Sequence, residues 1–125
     1  VLLYALLLRC REELTVPSGP RLKNRLSRAF DLIEKRYGET LSLTELAEVC
    51  GVSKEYFCKI FHDYTGMRPM EYVSYVRIQN AKKMLRYSDL SVYEIAERVG
   101  FSDCSYFCKI FKQVEGVTPM QYAGR

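Results

Sequence analysis

The chain has 125 residues, 48% of them apolar, and a formal net charge of +4. That is the length of one ordinary domain, with enough apolar content for a packed core, which excludes wholesale disorder. The charge is uneven: residues 21–40 hold six basic and three acidic side chains and residues 73–90 four basic and one acidic, while residues 41–72 hold three basic and five acidic, a pattern suited to an anionic partner.

The chain opens Val-Leu-Leu-Tyr-Ala-Leu-Leu-Leu before charge begins at Arg9. The run is too short to cross a bilayer, which takes about 20 apolar residues. It also lacks the basic lead-in and small-residue cleavage site of a secretory signal. Val1–Leu14 reads as the last helix of a preceding domain, and Val16-Pro17-Ser18-Gly19-Pro20 as a linker. Residues 1–20 are therefore set apart from a first structural unit over 21–72 and a second over 73–125.

Leu22, Leu26, Ala29 and Ile33, with Phe30 beside them, space as one face of a helix that ends near Tyr37-Gly38. Arg21, Arg25 and Arg28 on the same segment are either contacts to the backbone of such an anionic partner or solvated side chains. Ser42-Leu43-Thr44-Glu45 has the form of a capping box, in which serine accepts a backbone N–H and glutamate reaches back. It opens a short helix with Leu43, Leu46, Ala47 and Cys50 on its apolar face. Gly51 follows where a helix needs a left-handed residue, and Ser53 is placed to cap the next helix.

The same order then recurs. Ser91-Val92-Tyr93-Glu94 repeats the box, Val92, Ile95, Ala96 and Val99 repeat the apolar face, and Gly100 and Ser102 repeat the turn. The offset is 49 up to this point. Beyond it the offset is 50: Tyr-Phe-Cys-Lys-Ile-Phe stands at Tyr56–Phe61 and again at Tyr106–Phe111, and Gly66-x-x-Pro69-Met70-x-Tyr72 returns as Gly116-x-x-Pro119-Met120-x-Tyr122. A period near 50 means one supersecondary unit used twice. Helix, glycine turn and helix, in duplicate, predict an all-α fold of two helix-turn-helix subdomains. Between them no breaker interrupts Pro69–Arg86, where Val73, Val76, Ala81, Met84 and Leu85 keep a helical period. Such a helix would be roughly 27 Å long, of the order of one duplex turn, about 34 Å.

The second helix of each unit carries two stripes. Phe57, Ile60, Phe61 and Tyr64, and likewise Phe107, Ile110, Phe111 and Val114, face a core. Opposite them lie Glu55, Cys58, Lys59 and His62 in the first copy, and Ser105, Cys108, Lys109 and Lys112 in the second, with Cys104 beside them. A helix-turn-helix reads DNA by laying its second helix in the major groove, where base edges carry a unique donor and acceptor code. Two such helices on one chain would read two successive major-groove segments. These nine polar residues are therefore the candidate DNA contacts.

Other chemistry is thinly supported. Five cysteines with no Cys-x-x-Cys pair argue against a disulfide framework and for a reducing cytosol. Cys104 and Cys108 fall short of the about four ligands of structural zinc. His62 stands without a nucleophile or carboxylate motif, and no phosphate loop or triad occurs. No enzymatic activity, cofactor or metal is expected.

The tandem pattern Leu-x-x-Leu-Ala-x-x-x-Gly-x-Ser … Phe-x-x-x-Phe … Gly-x-x-Pro resembles the DNA-binding domain of the AraC/XylS transcriptional regulators. So does Ile95-Ala96-x-x-Val99-Gly100-Phe101-Ser102-Asp103-x-Ser105-Tyr106-Phe107, ending in Gly116-Val117-Thr118-Pro119-x-x-Tyr122. The similarity runs over about residues 22–123. It implies two helix-turn-helix subdomains joined by a long helix, about seven helices in all, in a cytoplasmic bacterial regulator of transcription. It implies base contacts from Glu55, Cys58 and Lys59, and from Cys104, Ser105, Cys108 and Lys109, and a structural role for Arg77. Double-stranded DNA is the implied partner, with RNA polymerase a candidate second one. Members of this family usually carry a ligand-sensing or dimerising domain ahead of this one, through which the full-length protein would form a homodimer. A helical protein–protein module using the same exposed faces is the alternative.

Overall fold

The computed structural model describes residues 19–125, with side chains from Asn24 onward. The expected helix over Val1–Leu14, most of the linker, and the side chains of Arg21 and Leu22 lie outside the described residues. Gly19 and Pro20, read as linker, instead begin the first helix, where proline's fixed φ suits a first turn.

The described residues form α-helices and connecting turns: α1 Gly19–Arg36, α2 Leu43–Val49, α3 Lys54–Thr65, α4 Pro69–Tyr87, α5 Val92–Arg98, α6 Cys104–Glu115 and α7 Pro119–Ala123. The helix ends follow local chemistry. Ser42, Ser53 and Ser91 cap α2, α3 and α5, each accepting a backbone N–H three residues on. The two boxes differ in one detail. Glu94 reaches back to the Ser91 N–H at 3.3 Å, whereas Glu45 accepts from the Ser42 hydroxyl at 3.4 Å and pairs with Arg36 at 3.5 Å. At α6 the cap is Asp103, not the expected Ser102: the Asp103 carboxylate accepts from Ser105 N at 2.8 Å. The extra residue of the second copy sits in the turn, so Asp103 is the structural counterpart of Ser53. Gly66 and Gly116 close α3 and α6 in left-handed conformation.

Two apolar cores form, one per unit. Leu26, Ala29 and Ile33 of α1, Leu46 and Ala47 of α2, Phe57, Ile60, Phe61 and Tyr64 of α3, and Val73 make the first. Ile78, Ala81, Leu85, Ile95, Ala96, Val99, Phe101, Phe107, Phe111 and Val114 make the second. The joining helix α4 thus gives its beginning to one core and its remainder to the other. Each core carries the same aromatic stack. Phe57–Phe61 centroids are 5.5 Å apart and Phe107–Phe111 5.8 Å; Tyr72 meets Phe61 edge-on at 5.5 Å and Tyr122 meets Phe111 at 5.7 Å. Ile110, expected in the core, is only half-buried.

Burial exposes a further layer of the duplication. Leu26, Ala29 and Ile33 and, 52 residues later, Ile78, Ala81 and Leu85 are all buried at the same spacing. So α1 is the first unit's version of α4, and Arg25 precedes its buried triplet as Arg77 precedes the other. The offset falls from 52 to 49 by Ser42 and Ser91 because the connection after α1 is longer. That extra length is used. Arg77 donates from Nε to the Tyr37 carbonyl at 2.7 Å and from Nη2 to the Glu39 carbonyl at 3.0 Å, with its guanidinium 5.6 Å from the Phe101 ring centroid. The Tyr37–Glu39 loop of the first unit is thereby seated on the turn of the second. Gly38 approaches the Arg98 carbonyl so closely that a Cβ would lie 2.8 Å from it. At Gly100, φ is +102° and a Cβ would meet the Tyr37 carbonyl at 2.8 Å. Only glycine fits there without a shift.

Candidate nucleic-acid interface

The apolar stripes of α3 and α6 are held by their cores, which fixes what the opposite stripes present. On α3, Glu55, Lys59 and His62 are exposed and Cys58 is half-buried. On α6, Ser105, Lys109 and Lys112 are exposed, while Cys104 and Cys108 are half-buried against the rim of the second core. Within each helix these residues recur every three or four positions and share one side. The two stripes differ in charge. Glu55 offsets Lys59 on α3, with His62 beyond. On α6 Lys109 and Lys112 stand without a counter-charge on the stripe, because the only glutamate of that helix, Glu115, is drawn to Lys82 of α4 at 3.1 Å. That ion pair also ties the end of α6 to the joining helix, with Gln79 donating to the same carboxylate at 3.5 Å.

The cysteines contribute little to hydrogen bonding. Burial chiefly, and then the neighbouring Cys104 thiol, push the Cys108 pKa up, and burial raises Cys50 against a weaker pull from the Ala29 backbone and Arg28. Both are therefore neutral thiols at pH 7 and weak donors, and Cys108, on α6, suits contact with an apolar group such as a thymine methyl. The expected consequence is alkylation of Cys108 slower than that of a free thiol at neutral pH, accelerating only as pH rises above the ordinary thiol range. Mass spectrometry of iodoacetamide-treated protein measures this, and a rate at pH 7 above that of free cysteine would refute it.

Two exposed residues escaped the sequence-based list. Tyr56 and Tyr106 occupy the third position of α3 and α6 and are 43% and 50% exposed. Arg25 lies over the Tyr56 ring, its guanidinium carbon 5.8 Å from the centroid, and Tyr106 packs on Phe101 at 6.0 Å. Their signal was present, since both precede the buried phenylalanine by one residue and so fall outside the core register. Two open clefts flank the helices. One, of about 250 Å³, lies between α4 and α6 and is lined by Met70, Tyr75, Tyr106 and Ile110 among others. The second, of about 260 Å³, lies between α1 and the first glycine turn and is lined by Asn24, Arg25, Arg28, Glu48, Val49, Cys50 and Gly51. Among the described residues no group of three or more metal-binding side chains occurs, and no helix is long and apolar enough to cross a membrane.

Comparison with known proteins places this geometry. A family model described as "Helix-turn-helix domain" matches residues 46–125. The Msm operon regulatory protein of Streptococcus mutans is 32% identical over 105 residues, 81% of this chain and 38% of that protein. The chain spans well under half the length of the curated relatives it matches. A transcriptional regulator from Chromobacterium violaceum with an AraC-type DNA-binding domain superposes with a TM-score of 0.77 at 26% identity, over 82% of this chain and 91% of that one. The DNA-binding domain of AdpA, a global transcriptional factor solved with a target DNA, gives 0.76 at 26% identity over 79% and 89%.

Proposed function

Because this chain belongs to the AraC-type family of helix-turn-helix DNA-binding domains, we propose that it directs a bacterial transcriptional regulator to its operator by inserting α3 and α6 into successive major-groove segments. The observation that carries this is the duplicated recognition helix, each copy anchored by an identical aromatic stack and turned polar-side out. Glu55, Cys58, Lys59 and His62 read the first segment; Cys104, Ser105, Cys108, Lys109 and Lys112 read the second. Lysine is a natural donor to guanine edges, and Glu55 an acceptor for a cytosine amino group. The 19-residue α4 sets the spacing at roughly 28 Å of rod. Residues 21–72 and 73–125 act as the two reading units, behind whatever domain residues 1–20 connect to. Homodimerisation through such a domain, contact with RNA polymerase, and a cytoplasmic site of action complete the proposal, which involves no catalysis.

A salt titration on a duplex selected from a random pool tests this directly. Binding is expected to weaken steeply as log[salt] rises, because each neutralised phosphate releases counterions, and the selected motif is expected to contain two boxes about a turn apart. A duplex affinity no better than that of any basic protein would favour the protein–protein module instead. Lys109→Ala is expected to cost about 1–3 kcal/mol on the selected site and less on random duplex. Equal losses on both would show that Lys109 touches only phosphate.

A further inference from the structure

The two units are copies, yet their arginines at matching positions meet different surroundings. Arg77 is half-buried and satisfied by the Tyr37 and Glu39 carbonyls, which lie across Gly100. Arg25, its counterpart one residue before the buried triplet of α1, lines the cleft beside Gly51, the counterpart of Gly100. Nothing lies within 4 Å of where a Cβ on Gly51 would be. Among the described residues no loop fills this seat as Tyr37–Glu39 fills its counterpart, and they leave a cleft of about 260 Å³. Arg25 is exposed and rests on the Tyr56 ring, while Arg28 and Asn24 add donors to the same cleft and Glu48 is its single carboxylate. Among the described residues neither arginine has an ion pair or a carbonyl acceptor.

Guanidinium groups without acceptors call for oxygen from outside, and phosphate is the ligand whose geometry they match. Two facts favour DNA as its source. Tyr56, on which Arg25 rests, is in the first turn of α3 and next to Glu55, so the cleft opens beside the helix assigned to the groove. In addition, Glu55 and Asp63 offset Lys54 and Lys59 on that helix, whereas on α6 Lys109 and Lys112 face only Glu115, which is drawn to Lys82, so the first unit has no net positive charge on its recognition helix. We propose that Asn24, Arg25 and Arg28 form a phosphate seat by which the first unit grips the DNA backbone beside its recognition helix, supplying from α1 the net positive charge that α3 does not have. The proposal rests on the DNA-binding function argued above.

The test compares the 125-residue chain with its Arg25→Gln/Arg28→Gln and Arg25→Lys/Arg28→Lys variants, using the duplex selected by the unaltered chain and a random duplex. Each phosphate contributes about 0.9 to the slope of log affinity against log[salt]. The glutamine variant is expected to show a slope shallower by about 1.8, with the ratio of selected-site to random affinity unchanged; the lysine variant should keep the original slope. Ethylation of phosphates flanking the first box should weaken the unaltered chain and leave the glutamine variant indifferent. An unchanged slope in a glutamine variant that melts normally would overturn the proposal and leave the cleft to a polypeptide loop of the Tyr37–Glu39 kind. A changed sequence preference would overturn it as well, by showing base contact. Should the double variant unfold, the single glutamine variants carry the same test at about 0.9 each. A flat salt response in the unaltered chain would instead remove the DNA-binding function itself, a result distinct from failure of the seat alone.

Discussion

Phe111→Ala is expected to lower the stability of the chain by about 3–5 kcal/mol, as truncation of a fully buried phenylalanine does when its surroundings relax only in part. Phe111 is 0% exposed. It sits between Phe107 at 5.8 Å and the edge of Tyr122 at 5.7 Å, and Tyr122 is in turn covered by the Arg86 guanidinium at 5.3 Å and the Lys82 ammonium at 5.7 Å. Removing the ring would therefore loosen α6, α7 and the end of α4 together. Against the about 5–15 kcal/mol that holds a typical domain folded, the loss is large enough for the second unit to unfold before the first. Urea denaturation followed by circular dichroism measures it, and a change below about 1 kcal/mol would show that the second core is not organised around this ring. Lys109→Ala, on the opposite side of the same helix, should leave the transition where it was, which separates loss of folding from loss of contact.

Arg77→Ala is the second large effect, and it reaches beyond stability. The side chain makes two hydrogen bonds from a charged group and stacks on Phe101. Burial pushes its pKa down, yet an arginine stays protonated, so the charge is held among backbone carbonyls and a ring. Hydrogen bonds from charged groups are worth about 1.5–3 kcal/mol each, and since the loop can partly rehydrate, a net loss of about 2–4 kcal/mol is expected. Arg77→Lys should recover less than half, because one ammonium cannot bridge two carbonyls while stacking flat on an aromatic face. Gly100→Ala strains the same contact, as its Cβ would lie 2.8 Å from the Tyr37 carbonyl and 2.9 Å from Arg77 Nε. The two substitutions should therefore be non-additive by about 0.5–3 kcal/mol, with Gly100→Ala milder in the Arg77→Ala background. Since this contact joins the first unit's loop to the second unit's turn, Arg77→Ala should also weaken binding to a two-box duplex more than to either box alone. Equal losses on one-box and two-box duplexes would confine Arg77 to a purely local role.

Much of this was legible from residues in order. The duplicated Tyr-Phe-Cys-Lys-Ile-Phe segment, the serine caps and the proline at the start of α4 each act within a turn or two of chain, so spacing alone revealed them. The α1–α4 correspondence was harder to see. Its offset of 52 differs from the 49 that relates α2 to α5, and Leu-Ala-Ile against Ile-Ala-Leu shows no identity outside the alanine until burial marks all six positions. Asp103 in place of Ser102 is a near miss of the same kind, since a one-residue insertion moves the cap without altering the pattern around it. Glu45 left the full capping box because Arg36, nine residues back and unreadable as a neighbour, competes for its carboxylate.

The sequence by itself determined the helical elements, the duplication, the two core faces and hence which stripe of each recognition helix is left polar, because period and capping are short-range properties written into consecutive residues. Only the tertiary structure decided that Arg77 locks one unit onto the other while Arg25 faces an open cleft, and that Cys104 and Cys108 sink to the rim of the core while Tyr56 and Tyr106 rise from it. Those outcomes depend on which carbonyl arrives from 38 to 40 residues away, and arginines at matching positions acquire different roles when, among the described residues, such a partner meets one of them and not the other.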